Sequence, residues 1–183
     1  MKKAQEKQLQ KEANWKEFKQ IIQDIEQNSM VQKLHLYKQH CTTSRYDHCQ
    51  NVAYYSYVLC KKLGLDYKAA ARGGMLHDLF LYNWKKEHRE LELNGLHAFE
   101  HPKIALQNAC SQFCLTNKEK DIIAKHMWPV TFALPRYRES YIITLVDKYC
   151  ATKEATDYLN EKYHLKELYR FSYVLLSMLM IRF

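Results

Sequence analysis

Six side chains of this sequence are of types that do chemistry together: His48, His77, Asp78, His101, His126 and Asp147. Imidazole nitrogens and carboxylate oxygens without thiolates make a ligand set suited to Fe, Mn, Co, Ni or Zn, and unlike a Cys-rich structural zinc site. His77 and Asp78 stand side by side in the apolar run "MLHDLFL", residues 75–81. Burying either group without a partner is costly. Each residue alone has a simpler reading: a hydrogen-bonded core histidine, a helix cap at His101, a buried acceptor at Asp147. Together they ask for helices that bring them to one point, because bundles build metal sites from side chains that project inward from facing helices.

The spacing predicts those helices. Trp15, Phe18, Ile21, Ile22 and Ile25 recur at helical intervals, so an amphipathic helix is expected over about 4–27, with a short one over 30–39. Ser44 reads as an N-cap, with Asp47 as its partner three residues on. The helix it starts carries His48 beside Val52 and stops at Gly64, a favourable residue just past a helix end. Asp66 caps a helix that runs to about Leu79 and ends in the His77-Asp78 pair. Gly73 and Gly74 within it remove side chains and would let another helix or a ligand come close.

Residues 82–98 show no clear period. Pro102 fits a first helical position, which sets His101 at a helix start, and that helix is expected to reach about Cys114. Thr116 and Glu119 form a capping box for the next helix, whose apolar side carries His126 with Ile122 and Ile123. The two-proline stretch "MWPVTFALPRYRES" reads as a loop. Asp147 follows Leu145 and Val146 on a helix over about 139–151, and two more are expected near 154–163 and 166–181. With no sustained period of two and no internal repeat, the fold class is all-α: a single-domain helical bundle, with residues 1–28 as an N-terminal helix packed on a domain of residues 29–183.

Composition narrows the partners. The net charge of +8 favours acidic ligands such as phosphates, but no basic run of five or more marks a nucleic-acid stripe. The N-terminus has no apolar signal segment, and the six cysteines form no C-x-x-C pair, so a cytoplasmic protein with reduced thiols is expected. The apolar end "FSYVLLSMLMIRF" is too short to span a bilayer, and no membrane association is expected.

The order His…His-Asp…Asp, within "RYDHCQNVAYYSYVLCKKLGLDYKAAARGGMLHDLF" and "LVDKYCATKE", resembles the HD-domain superfamily of metal-dependent phosphohydrolases. The resemblance covers about residues 40–155. It implies a helical HD domain with His48, His77, Asp78 and Asp147 as metal ligands. Members with two further histidines between the dyad and the last aspartate hold two ions. His101 and His126 fill those places, with His97 as a competitor for the first. By the same resemblance Asp78 bridges the two ions. His48, His77 and Asp147 complete one shell, and His101 and His126 the other.

The implied function is hydrolysis of a phosphate ester or anhydride, of nucleotide type, by metal-activated water. Whether the enzyme is a phosphomonoesterase, a phosphodiesterase or a nucleotide pyrophosphohydrolase stays open. The sequence has no Gly-rich phosphate loop and no G-x-S-x-G elbow, so water is the natural attacker. His77 and Asp78 are the central catalytic candidates. Arg45, one turn before His48, is expected to contact a phosphate, and Lys148 fits a family position near the substrate. Arg72, Lys85, Lys86, Arg136 and Arg138 flank the site in sequence, and Trp84, Trp128 and Tyr137 could stack on a base. Two groups of relatives, cyclic-di-nucleotide phosphodiesterases and diadenosine tetraphosphate hydrolases, usually carry lysine three residues after the dyad's aspartate. Here that residue is Leu81, so neither substrate is carried over. The alternative is an HD-fold regulatory protein that binds a nucleotide or other phospholigand with little turnover. The sequence leaves monomer and dimer equally open.

Overall fold

The computed structural model describes residues 2–39, 43–83 and 97–163. Its helices are α1 (Lys2–Ile21), α2 (Gln23–Glu26), α3 (Ser29–Gln32), α4 (Arg45–Lys62), α5 (Tyr67–Leu76), α6 (His97–Gln112), α7 (Asn117–Lys125) and α8 (Arg138–Tyr163), with a 3-10 turn at Lys33–Leu36 after α3. Among the described residues the only strand-like pairing is an isolated antiparallel bridge between Lys38 and Ser44. The all-α class is therefore observed. No described helix is long and apolar enough to cross a membrane. The helix expected at 166–181 lies outside the described residues.

Local chemistry starts the helices that matter for the site. Ser44 accepts from the Asp47 amide and its hydroxyl donates to the Asp47 carboxylate, opening α4. Asp66 accepts from the Ala69 amide and opens α5. Thr116 and Glu119 make both halves of a capping box at α7, each such cap being worth about 0.5–2 kcal/mol.

Four boundaries differ from expectation. The first helix stops at Ile21, and Ile22 starts a short second one, so Phe18, Ile22 and Ile25 all reach the core while residues 4–13 stay exposed. The helix expected over 30–39 is only α3 and its 3-10 turn. Helix α6 begins at His97, which leaves Pro102 inside it and not at its first position. Pro102 has no N–H to give the Ala98 carbonyl four residues back, and in the same turn the His101 side chain makes a contact of its own, its Nδ1 sitting 2.7 Å from the His97 carbonyl. The helices expected at 139–151 and 154–163 are one, because no Gly or Pro interrupts the chain between them.

Helix α4 is central, packing on α5 and α8, while α7 packs on α5, α6 and α8. One core cluster joins Phe18, Ile22 and Ile25 to Cys49, Ala53 and Tyr57 of α4 and Met75, Leu76 and Leu79 beside the dyad. A second joins Val52 and Cys60 to Ile122 of α7 and Ile142 and Ile143 of α8. Gly73 and Gly74 make this convergence possible. A Cβ on Gly74 would lie 2.8 Å from the Ala53 Cα, and one on Gly73 2.6 Å from Ile122 Cγ2. Helix α5 thus meets the backbone of α4 and the Ile122 side chain of α7 just before His77.

The Gly74 contact is with backbone, which cannot swing away. Gly74→Ala should therefore destabilise the protein by about 1–3 kcal/mol, despite a gain in helix propensity of up to about 1 kcal/mol. Denaturant unfolding measures this, and an unchanged or raised midpoint would show that α4 and α5 can separate at no cost.

Candidate metal centre

The six ligand candidates come from five helices or their ends: His48 from α4, His77 and Asp78 just past α5, His101 from α6, His126 just past α7 and Asp147 from α8. All are buried or nearly so, and Asp147, the most exposed, has a side chain 13% accessible.

Local backbone sets the proton on three of the imidazoles. His77 Nδ1 lies 2.7 Å from the Gly74 carbonyl, His101 Nδ1 2.7 Å from the His97 carbonyl and His126 Nδ1 2.9 Å from the Ile123 carbonyl. A carbonyl only accepts, so each Nδ1 carries a hydrogen and each ring turns its Nε2 inward, where its lone pair can serve a metal once Nε2 carries no proton. His48 is held differently, with a carboxylate at each ring nitrogen. Its Nδ1 is 3.1 Å from a Glu154 carboxylate oxygen, and its Nε2 faces Asp147 Oδ1, also at 3.1 Å.

The Nε2 atoms of His77, His101 and His126 converge on Asp78. Its Oδ1 lies 3.4 Å from His101 Nε2 and 3.5 Å from His126 Nε2, and its Oδ2 lies 3.7 Å from His77 Nε2. Asp147 Oδ1 stands 3.6 Å from His77 Nε2. Two ligand groups result, His48–His77–Asp78 and Asp78–His101–His126, each with ligand atoms within 4.8 Å of one another, and Asp78 belongs to both.

Two observations test whether a cation fits. His77 Nε2 and Asp78 Oδ1 are buried and have no hydrogen-bond partner among the described residues, an arrangement that ordinarily costs about 1–3 kcal/mol per group. His101 Nε2 and His126 Nε2 face each other at 2.8 Å. With both Nδ1 atoms protonated, two lone pairs meet there unless a proton or a metal ion lies between them. The donor set therefore fits divalent metal at both positions.

The charges agree. Burial opposes ionisation of Asp78, but His77, His101 and His126 around it hold its carboxyl well below the usual range. Asp147 is likewise held low against burial, by His48 and His77. Burial pushes His48 down, yet its bonds to Asp147 and Glu154 raise it to about 10. His77 also ends well above its ordinary value, burial being outweighed chiefly by Asp78. His126 goes the other way, to about 3, through burial and then the neighbouring His101 and His77. Burial pushes the thiols of Cys60 and Cys150 up to about 12, which leaves both unreactive.

His101, and not His97, meets Asp78 and His126; His97 supplies its carbonyl to His101 and its Nδ1 to the Tyr82 hydroxyl at 3.2 Å. Arg45, expected to touch a phosphate, is fully buried instead. Its guanidinium donates to the Phe80 carbonyl at 2.6 Å, to the Tyr82 carbonyl at 3.3 Å and to Gln39 Oε1 at 2.8 Å. Lys148 lies at the rim with its side chain 41% exposed, its ammonium 3.3 Å from the His126 carbonyl and 4.0 Å from Asp147 Oδ2. Burial lowers its pKa.

The flanking residues divide. Arg72 is bound to Asp24 and Glu119, a structural cross-link and not a site contact. Arg136 and Arg138 are exposed, Trp128 packs on Tyr141 and Tyr137 lies under Lys118. Leu81 packs against the core. Trp84, Lys85 and Lys86 lie outside the described residues.

Two participants have no place in the sequence-based set. Glu154 orients His48, and its signal was present: it stands seven residues, two helical turns, after Asp147 on a helix face. Gln39, whose side-chain amide donates to Asp78 Oδ2, follows the bridged residue Lys38 and had no such signal.

Because His48 and His77 hold protons that a metal must displace, metal affinity should rise with pH from about 6 to 9. The carboxylates, already ionised, contribute nothing to this slope. At neutral pH, binding of Mn(II) or Co(II) should release about two protons per chain, measurable by calorimetry in buffers of different ionisation enthalpy. A pH-independent affinity would contradict the assigned protonation. No family model, no curated protein and no solved structure matches the chain, so its side chains carry the functional argument.

Proposed function

We propose that the protein is a metal-dependent phosphohydrolase of the HD-domain type that cleaves a phosphate ester or anhydride, of nucleotide class, with water as the nucleophile. The observation that carries this reading is the convergence of four imidazole Nε2 atoms on two buried carboxylates, with His77 Nε2 and Asp78 Oδ1 lacking a hydrogen-bond partner among the described residues. In this reading His48, His77 and Asp147 would hold one cation, His101 and His126 the other, and Asp78 would serve both. When bound, divalent metal supplies a hydroxide nucleophile near neutral pH and positive charge against the phosphoryl oxygens.

The chain's own residues do the rest. The fixed Nδ1–H bonds keep every Nε2 in place, so no reorganisation is needed when substrate arrives. Lys148 retains a donor direction at the rim and would orient a phosphate oxygen there. Neither Cys60 nor Cys150 competes with water as a nucleophile, since both thiols stay protonated. The alternative, an HD-fold phospholigand-binding regulator with little turnover, is favoured by two features: Leu81 brings no charge to the site, and Arg45 has its guanidinium occupied in the interior.

Protein purified without chelator should contain roughly one to two equivalents of transition metal. With Mn, Fe, Co or Ni it should hydrolyse members of a panel of nucleotides, dinucleotides and phosphodiesters. Asp78→Ala should lose both metal and turnover, with kcat/KM falling by at least about 100-fold. Phospholigand binding without hydrolysis would establish the regulatory alternative. A wild-type protein that takes up none of the metals would refute both.

A further inference from the structure

Asp78 is the only acid shared by both ligand groups, so the direction of its two oxygens decides whether both can be filled. What sets that direction is a chain of contacts from the opposite side. The Gln39 side-chain amide donates to Asp78 Oδ2, and its carbonyl oxygen accepts from Arg45 Nε at 2.8 Å. The orientation of the amide is forced: a carboxylate cannot donate and a guanidinium cannot accept, so the NH2 must face Asp78 and the oxygen must face Arg45.

Both partners are held in register by two backbone bonds. Gln39 N donates to the Thr43 carbonyl at 3.0 Å and Arg45 N to the Tyr37 carbonyl at 2.8 Å. Arg45 also grips the two carbonyls that follow the dyad, at Phe80 and Tyr82, and its guanidinium lies 3.5 Å from the centre of the Phe80 ring. That ring in turn packs on His101, at 5.5 Å between centroids. A fully buried guanidinium is costly unless it is hydrogen-bonded and balanced by opposite charge, and Asp78 is the acid whose charge acts on it most strongly.

We propose that Gln39 and Arg45 are positioning residues that pin the Asp78 carboxylate through Oδ2, leaving Oδ1 aimed at His101 and His126, so that the acid can serve two cations. This rests on the metal-site reading above. It assigns Arg45 a role through Gln39, away from substrate. Without the amide donor, Asp78 is free to turn about its terminal torsion, and Oδ1 no longer has a fixed place between the two histidines.

The test measures metal binding itself. Full-length wild type, Gln39→Leu and Gln39→Glu are loaded with Co(II), followed by competition with a chromophoric chelator and by the visible absorption spectrum, after circular dichroism has shown each to be folded. Gln39→Leu removes both bonds. Gln39→Glu keeps the shape and the bond to Arg45 but replaces the donor with an acceptor facing Asp78. Both should weaken Co(II) binding by about 10–100-fold and alter the spectrum, with the loss in Gln39→Glu at least as large. A merely structural role predicts that the shape-conserving variant keeps its affinity and spectrum. Arg45→Lys should show a similar loss that adds little to that of Gln39→Leu in the double variant. If Arg45→Lys does not fold, the Gln39 pair decides. Folded Gln39 variants with wild-type affinity and spectrum would overturn the positioning role, whereas a wild type that binds no Co(II) would overturn the metal site itself.

Discussion

A carboxylate in the interior of a helical bundle is the constraint around which this molecule is organised. Asp78 is buried in the centre of the fold, where burial alone would drive it to the neutral acid. It stays ionised because three imidazoles and a side-chain amide surround it. Meeting that requirement takes residues far apart in the chain: Gln39 ahead of α4, the end of α5, α6 and the end of α7. The close approach of α5 to α4 and α7 at Gly73 and Gly74 is part of the same requirement, since side chains there would hold the helices apart just before the dyad.

The inner groups are held by an outer layer that does not face the centre. His77, His101 and His126 each give their Nδ1 proton to a carbonyl of their own helix, and His48 gives its proton to Glu154. Tautomer and ring direction are thus set by secondary structure in three cases and by an acid two turns along α8 in the fourth. Outer partners of this kind raise ligand basicity and fix orientation. Arg45 belongs to this layer: its charge enters the centre only by way of Gln39, and its other donors order the chain that leaves the dyad.

The rim differs in character from the centre. Lys148 is half exposed and has weak carbonyl contacts, so its ammonium can change partner at little cost, whereas nothing in the inner set can move without leaving a buried polar atom unsatisfied. The loop between α7 and α8 follows His126 directly in sequence and leaves Phe132 almost fully exposed.

Helical class, the caps at Ser44, Asp66 and Thr116, and the ligand types were legible because they are local: a capping side chain and an apolar stripe need only a few neighbouring residues. The break at Ile22 and the continuity of α8 were less so, because packing and the absence of a breaker outweigh a weak change of pattern. The sequence by itself determined the six candidate ligands, their order and their helices. Tertiary structure alone decided that His101 and not His97 faces His126, that Arg45 points inward and that Gln39 reaches Asp78. These depend on where one helix crosses another and on which way a side chain turns at the crossing, and no spacing along a single helix contains that information.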